Sequence, residues 1–374
     1  MPIYKMNGKK DGQQKYRVRV NYQDAQGNSK QIDRVAYGSE SAKALERSLV
    51  QELKENLPET RMTVKKLYDE YIAAKQYEVR ETSLNKSKQI LNNHVLPYLE
   101  DKKLSNVNLQ VLQKWKQTIE QCNLSITMRR NIFGEFRAMM NYAVKFGYIS
   151  SNPLPKVGNF KDAYETKKKI NYYTADEFLK YIAAAKECAE NDTKTMHEWD
   201  YYVFFNIAFY TGMRKGEINA LKWTDIEDDI IHITRSIAQK LKGGDRETPP
   251  KNKSSVRDIM IPKPLKDILD EHYNRYKDVE GFSDDWRICG GAQCLRDSSV
   301  DKHNKNYAEK AGLKRIRIHD FRHSHASLLA NEGINIQEIA RRLGHSKIEI
   351  TWNTYSHLYP REEERAVKIL EKIV

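Results

Sequence analysis

Cysteine is scarce in this chain of 374 residues, with four in all: Cys122, Cys188, Cys289 and Cys294. They form no CxxC pair, and His303, the imidazole nearest Cys289 and Cys294 in sequence, has no partner at zinc-ligand spacing. That sets aside a disulfide framework and a zinc site, and predicts reduced thiols. Long apolar runs are also missing, so no membrane span is expected. The first residues, MPIYKMNGKK, are basic but lack the apolar core of a secretory signal, which predicts a soluble intracellular protein. No cluster of acidic residues suggests catalytic metal ligands, which disfavours a metal-dependent nuclease and leaves no metal or other cofactor expected. Internal repeats and low-complexity tracts are absent as well.

What the chain has in excess is positive charge, a formal net of +13. A basic surface attracts and retains polyphosphates, so nucleic acid is the partner this favours. Hydrophobic residues make up 39% of the chain, enough for ordinary cores. The length exceeds one usual domain and predicts two or three.

The expected fold is multidomain and mainly α. Residues 1–57 read as a small α+β module. Tyr16, Val18, Val20 and Tyr22 alternate with Arg17, Arg19 and Asn21, which is strand periodicity with a basic outer face. Residues 25–28 supply a turn, 31–37 a returning strand and 41–56 a helix. Residues 63–151 read as a helical bundle, with stripes at Val64, Leu67, Tyr68 and Tyr71, then Leu109, Leu112, Trp115 and Ile119, then Met128, Ile132, Phe136, Met139 and Ala143. Gly147 is a suitable helix stop. Residues 152–172 read as a basic linker containing Lys167, Lys168 and Lys169, whose role would be to contact phosphates. The third unit, 173–374, opens on a capping box at Thr174 and Glu177 and is mostly helical. Two strand-like runs, 230–235 and 257–262, suggest a small antiparallel sheet with a long basic loop between them.

Four segments of this third unit carry residue types suited to one reaction. Arg214 follows a Gly-containing turn in TGMRKGE, and His319 and Arg322 share a helical face in HDFRH. His345 lies in LGHS, and Tyr355 stands ten residues beyond it. Breaking a phosphodiester without metal requires the charge on its non-bridging oxygens to be offset, which two guanidinium groups do well. Imidazoles donate hydrogen bonds or move protons. A tyrosine nucleophile keeps the energy of the broken bond in a phosphotyrosine, so resealing needs no ATP. Each feature alone has a plainer explanation: a tyrosine packed in the core, a surface HxxR pair, or a helix-turn-helix over 335–356.

Together, TGMRKGE at 211–217, HDFRHSHAS at 319–327 and LGHSKIEITWNTYSHL at 343–358 resemble the tyrosine recombinases, specifically integrases of phages and conjugative elements. The resemblance implies an arm-binding module at 1–57, a helical core-binding (SAM-like) domain at 63–151 and a catalytic domain at 173–374 with a tail helix. It also implies that Arg214 and Arg322 clamp the phosphate, assisted by His319 and His345, with Glu217 in support. Tyr355 would form a 3′-phosphotyrosyl link and release a 5′-hydroxyl. The hairpin lysine of the family falls at Lys251, with Lys253 as a contender. Implied partners are double-stranded DNA at core and arm sites, three further copies of the chain in a tetramer, an excisionase and a host DNA-bending protein. Implied localisation is bacterial cytoplasm, at the nucleoid. The apolar stripe Ala366, Ile369, Leu370 and Ile373 would dock on a neighbouring subunit or on its own domain. Two rivals share parts of this pattern: a non-catalytic helix-turn-helix regulator and a topoisomerase-like relaxing enzyme.

Overall fold

The computed structural model describes residues 3–23, 29–55, 62–162, 170–192, 197–239, 244–250, 253–359, 367, 370 and 371. The chain divides into two compact units, residues 1–166 and 167–374. Among the described residues no helix is long and apolar enough to cross a membrane.

The first unit begins with an antiparallel sheet of β1 (Ile3–Lys10), β2 (Gln13–Gln23) and β3 (Ser29–Tyr37), followed by helix α1 (Ser39–Glu55). Residues 16–22 and 31–37 were expected to be strands, and both are. The first strand was not expected: its apolar residues do not alternate cleanly. The signal for it is Asp11-Gly12, whose positive φ values of 52° and 76° make the tight turn into β2. Val18, Ala36, Ala42 and Leu49 close a small core between sheet and helix. The predicted turn at 25–28 lies outside the described residues.

A helical bundle follows, built from α2 (Val64–Lys75), α3 (Glu81–His94), α4 (Leu109–Gln121) and α5 (Ile126–Lys145). Thr63, Asn108 and Ser125 cap α2, α4 and α5 by accepting backbone N–H groups left free in the first turn. The predicted stripes line its core, except that Leu109, in the first turn of α4, is largely exposed and Met128 is half-buried. Gly147, at φ 74°, ends α5. The linker expected from 152 begins later than predicted. Leu154 and Phe160 are buried in the bundle core, with Phe160 edge-on to Trp115 and Phe133. The prolines at 153 and 155 suggested a break, but burying two large apolar side chains outweighs the polar character of their neighbours.

The second unit packs around α7 (His197–Thr211), which is apolar on nearly every side and therefore central. Helix α6 (Ala175–Asn191) lies against it and starts with the predicted capping box, Thr174 Oγ1 accepting from Glu177 N and Glu177 from Thr174 N. Helix α8 (Lys215–Ala220) leads into the strands β4 (Ile226–Glu227), β5 (Ile230–Ile233), β6 (Ser236–Ala238), β7 (Arg246–Thr248) and β8 (Arg257–Met260). The two predicted runs pair antiparallel as β5 and β8, with β4 completing that sheet. Between them the chain forms a second hairpin, β6–β7, where a loop was expected. The helices α9 (Lys263–Tyr276), α10 (Asp297–Lys310), α11 (Ile318–Asn331), α12 (Ile336–Leu343) and α13 (Ile348–Tyr355) complete the unit. Asn335 caps α12 by accepting from Gln337 N, and Glu338 pairs with Arg341. The C-terminal stripe at Ala366, Ile369 and Ile373 lies outside the described residues.

Candidate active site

Four backbone features gather the predicted residues of the second unit. Arg214 is the N-cap of α8, and its backbone N–H and Nη1 both donate to Glu217, at 2.9 and 2.7 Å. The turn before it depends on Gly212, at φ 66°, where a Cβ would sit 2.7 Å from the ring of His325. Arg322 lies on α11, buried, and donates to the carbonyls of Gly212 at 2.8 Å and Leu343 at 2.5 Å. Gly344 terminates α12 in the left-handed region, and its carbonyl accepts from Arg214 Nη2 at 3.3 Å. The two guanidinium groups therefore share an anchorage on the 212 and 343–344 turns.

His319 stands one helical turn before Arg322, and His345 follows the left-handed Gly344 with its Nδ1 2.8 Å from Thr351 Oγ1. Burial first, then the positive neighbours, pull both imidazoles down to about 4, so they are neutral near pH 7 in the free protein. Arg322 is itself pulled down to about 9, by burial and then by Arg214. Arg214 and the buried Arg257 both bond one carboxylate, Glu217, whose charge also acts on Arg322. Such a cluster is short of negative charge, which is what a phosphate supplies.

Tyr355 ends α13. Its ring is buried among Ala326, Ala330, Ile339 and Leu343. Its oxygen lies 2.5 Å from Nδ1 of His323. Burial pushes the phenol up, and the nearby Arg322 works against that by favouring the phenolate. The nucleophile candidate thus lies within electrostatic reach of Arg322, and α11 carries His319, Arg322 and its own contact, His323.

Two residues escaped the sequence reading. Arg257 donates to Glu217 at 2.9 Å, to Ser255 O at 3.0 Å and to Arg342 O at 2.6 Å, tying β8 to α8 and α12. A signal existed: strand alternation puts Arg257 on the same buried face as Ile259, where a charge needs a reason. His323 lies inside the HDFRH segment, four residues after His319, so helical geometry already placed them on one face. Lys251 lies outside the described residues, and only the backbone of Lys253 is described, in a single 3-10 turn. Lys167, Lys168 and Lys169 also lie outside them. Arg17 and Arg19, on β2, both pair with Asp33 of β3, at 2.8 and 3.0 Å, and remain part-exposed. Among the described residues no three His, Cys, Asp or Glu side chains are arranged to hold a metal ion.

These features match a known family. Residues 171–362 match the phage integrase family, and residues 63–119 match the phage integrase N-terminal SAM-like domain. The chain belongs to the phage integrase family and is a tyrosine-type site-specific recombinase, which decides against the regulator and the relaxing enzyme. The ICEBs1 integrase of Bacillus subtilis is 26% identical over 312 residues, 81% of each chain. A XerC-like tyrosine recombinase of Caldanaerobacter subterraneus is 27% identical over 317 residues, 75% of this chain and 76% of its own. Among solved structures, the Tn1549 transposon integrase in complex with transposon right end DNA aligns at a TM-score of 0.63 and 20% identity, covering 84% of this chain and all of that one. A lambda integrase tetramer bound to a Holliday junction aligns at 0.58 and 16% identity over 96% of both chains. At these identities the likeness establishes the fold.

Proposed function

We propose that this integrase moves a mobile element into and out of double-stranded DNA, with Tyr355 as nucleophile. The observation that carries this is the gathering of Arg214, Arg322, His319, His345 and Tyr355 around the 212 and 343–344 turns, in a cluster whose cations outnumber its anions. Arg214 and Arg322 grip the non-bridging oxygens of the scissile phosphate from two segments, while His319 and His345 donate hydrogen bonds to them. Bringing the phosphate in supplies the anion that the two neutral imidazoles and the crowded guanidinium groups favour. Tyr355 Oη attacks phosphorus, the bond to the 5′ oxygen breaks, and a 3′-phosphotyrosine remains. Lys251 on its hairpin protonates the leaving 5′ oxygen, with Lys253 as the alternative. Glu217 keeps Arg214 in its gripping rotamer.

Four copies of the chain act on two paired DNA sites, a reading supported by the lambda integrase tetramer seen on a Holliday junction. The N-terminal sheet reads arm sites through Arg17 and Arg19, and Lys167, Lys168 and Lys169 add phosphate contacts that give affinity rather than specificity. An excisionase and a host DNA-bending protein set direction, in the bacterial cytoplasm at the nucleoid.

A nicked suicide duplex tests the chemistry. The wild-type chain yields a covalent DNA adduct resistant to denaturant, and Tyr355→Phe yields none. An adduct that survives Tyr355→Phe removes Tyr355 from this role.

A further inference from the structure

An attacking phenol must lose its proton, and the roles above leave that proton without a destination. Arg214, Arg322, His319 and His345 are assigned to the phosphate, and the hairpin lysine to the leaving oxygen. Tyr355 is 1% exposed, so bulk water does not reach it freely. Among the described residues, the hydrogen bond recorded at its oxygen is the one to His323 Nδ1, at 2.5 Å. Helix α11 holds that imidazole from one side and α13 holds the phenol from the other, so the contact joins two packed helices.

We propose that His323 is a further catalytic residue, the base that takes the phenolic proton of Tyr355 as its oxygen bonds to phosphorus. This rests on Tyr355 being the nucleophile. The step balances: the Oη–P bond forms, the P–O5′ bond breaks, the phenolic proton moves to His323 Nδ1, and the 5′ oxygen takes its proton from the separate acid. Resealing runs in reverse, the imidazolium returning its proton to the departing phenol oxygen.

The surroundings suit a base. The groups facing His323 are His319, whose ring lies perpendicular at 5.2 Å, Asp320, Arg317 and Arg322 from α11 and its N-cap, and Tyr355 from α13. Burial first lowers the imidazole, Asp320 raises it, and Arg317 and Arg322 lower it further. The ring is therefore unprotonated at neutral pH, and in the Nε2–H tautomer its Nδ1 accepts from the phenol; burial weakens it as a base, and Asp320 offsets part of the charge once the proton arrives. The charge of Arg322 favours the phenolate.

The test uses the full chain and a nicked duplex carrying the junction of the element with its target, with single-turnover adduct formation followed from pH 5.5 to 9.5. His323→Asn leaves an acceptor oxygen near the Nδ1 position but cannot take a proton. It is expected to cleave roughly a hundredfold to ten-thousandfold more slowly at pH 7, a range typical of losing a general base. Its rate should then climb with pH beyond the point where the wild type levels off. 3-Fluorotyrosine at position 355, a more acidic phenol, should speed the His323→Asn chain more than the wild type. His323→Gln is measured in parallel, with circular dichroism on both, so that one misfolded variant does not end the test. Cleavage within threefold of wild type and an unchanged pH profile overturns the proposal. So does faster cleavage, which would make the contact a brake on Tyr355, or a loss that neither pH nor fluorotyrosine repairs, which would make it mere positioning. An adduct surviving Tyr355→Phe defeats the nucleophile assignment itself. No adduct with Tyr355→Phe, together with a silent His323→Asn, defeats this proposal alone.

Discussion

Removing the carboxylate of Glu217 should strand a buried charge. Glu217 accepts from Arg214 N, Arg214 Nη1 and Arg257 Nη2, and its side chain is 5% exposed. Arg257 is 3% exposed, whereas Arg214 keeps 38% of its side chain in solvent. The Arg214 pair is thus screened and contributes less than about 1 kcal/mol. The Arg257 pair is different, because deleting one partner of a buried ion pair costs about 3–5 kcal/mol through the charge left behind. Glu217→Ala is therefore expected to lower the melting temperature of the catalytic unit by roughly 6–20 °C, at about 2–4 °C per kcal/mol for a unit of this size. Calorimetry at pH 7 on Glu217→Ala, Arg257→Met and the double variant Glu217→Leu/Arg257→Met measures it. If stranding is the cause, the double variant recovers at least half of the Glu217→Ala loss, since apolar residues can replace a buried pair at little cost. A loss under about 3 °C in Glu217→Ala, or a double variant as poor as the sum of its parts, refutes the reasoning.

Stability should also fall in mild acid. His319 and His345 sit at about 4 and the fully buried His325 at about 3, all below the 6.5 of an unfolded histidine. Their neutral rings contribute stability above pH 6.5 that is lost as pH drops from there toward those values. His325 accounts for up to about 1.4 kcal/mol per pH unit, and the two more solvated rings for less. Melting temperature against pH checks this, and a slope unchanged in His325→Asn would sink it. Gly212→Ala forces a Cβ into the left-handed region and 2.7 Å from the His325 ring, so it should cost about 2 kcal/mol or more and impair cleavage with it. Denaturant melts read the first effect; a neutral result would mean the turn has room. Replacing Lys167, Lys168 and Lys169 with alanine should reduce the slope of log affinity against log salt by about 2–3, near 0.9 for each lost phosphate contact. A slope that stays put removes these lysines from the interface.

Local pattern explains why much of this protein was legible before its structure. Helical stripes such as Leu112, Trp115 and Ile119 repeat every turn, and α4 buries that face because nothing else satisfies it. The strands β5 and β8 and the capping box at Thr174 are local signals too. The chemical residue types, an arginine after a glycine turn, a histidine and arginine on one helical face, and a late tyrosine, stand in the order of a family whose match covers 171–362. Less legible were elements with weak periodicity, namely β1 and the β6–β7 hairpin, and the reach of the bundle core out to Phe160.

Residue types, their order and their periodic spacing are carried by the chain itself, because each depends on neighbours within a few positions. From these came the class of chemistry and the helical character of the fold. Which atoms meet is another matter, since it depends on segments tens of residues to more than a hundred residues apart. Glu217 holds Arg257 across 40 residues, Arg322 is anchored on Gly212 across 110, and His323 meets the phenol of Tyr355 across 32. Those contacts exist only once α7, α11 and α13 have buried their apolar faces, and packing of that kind is set by the whole core rather than by any one segment.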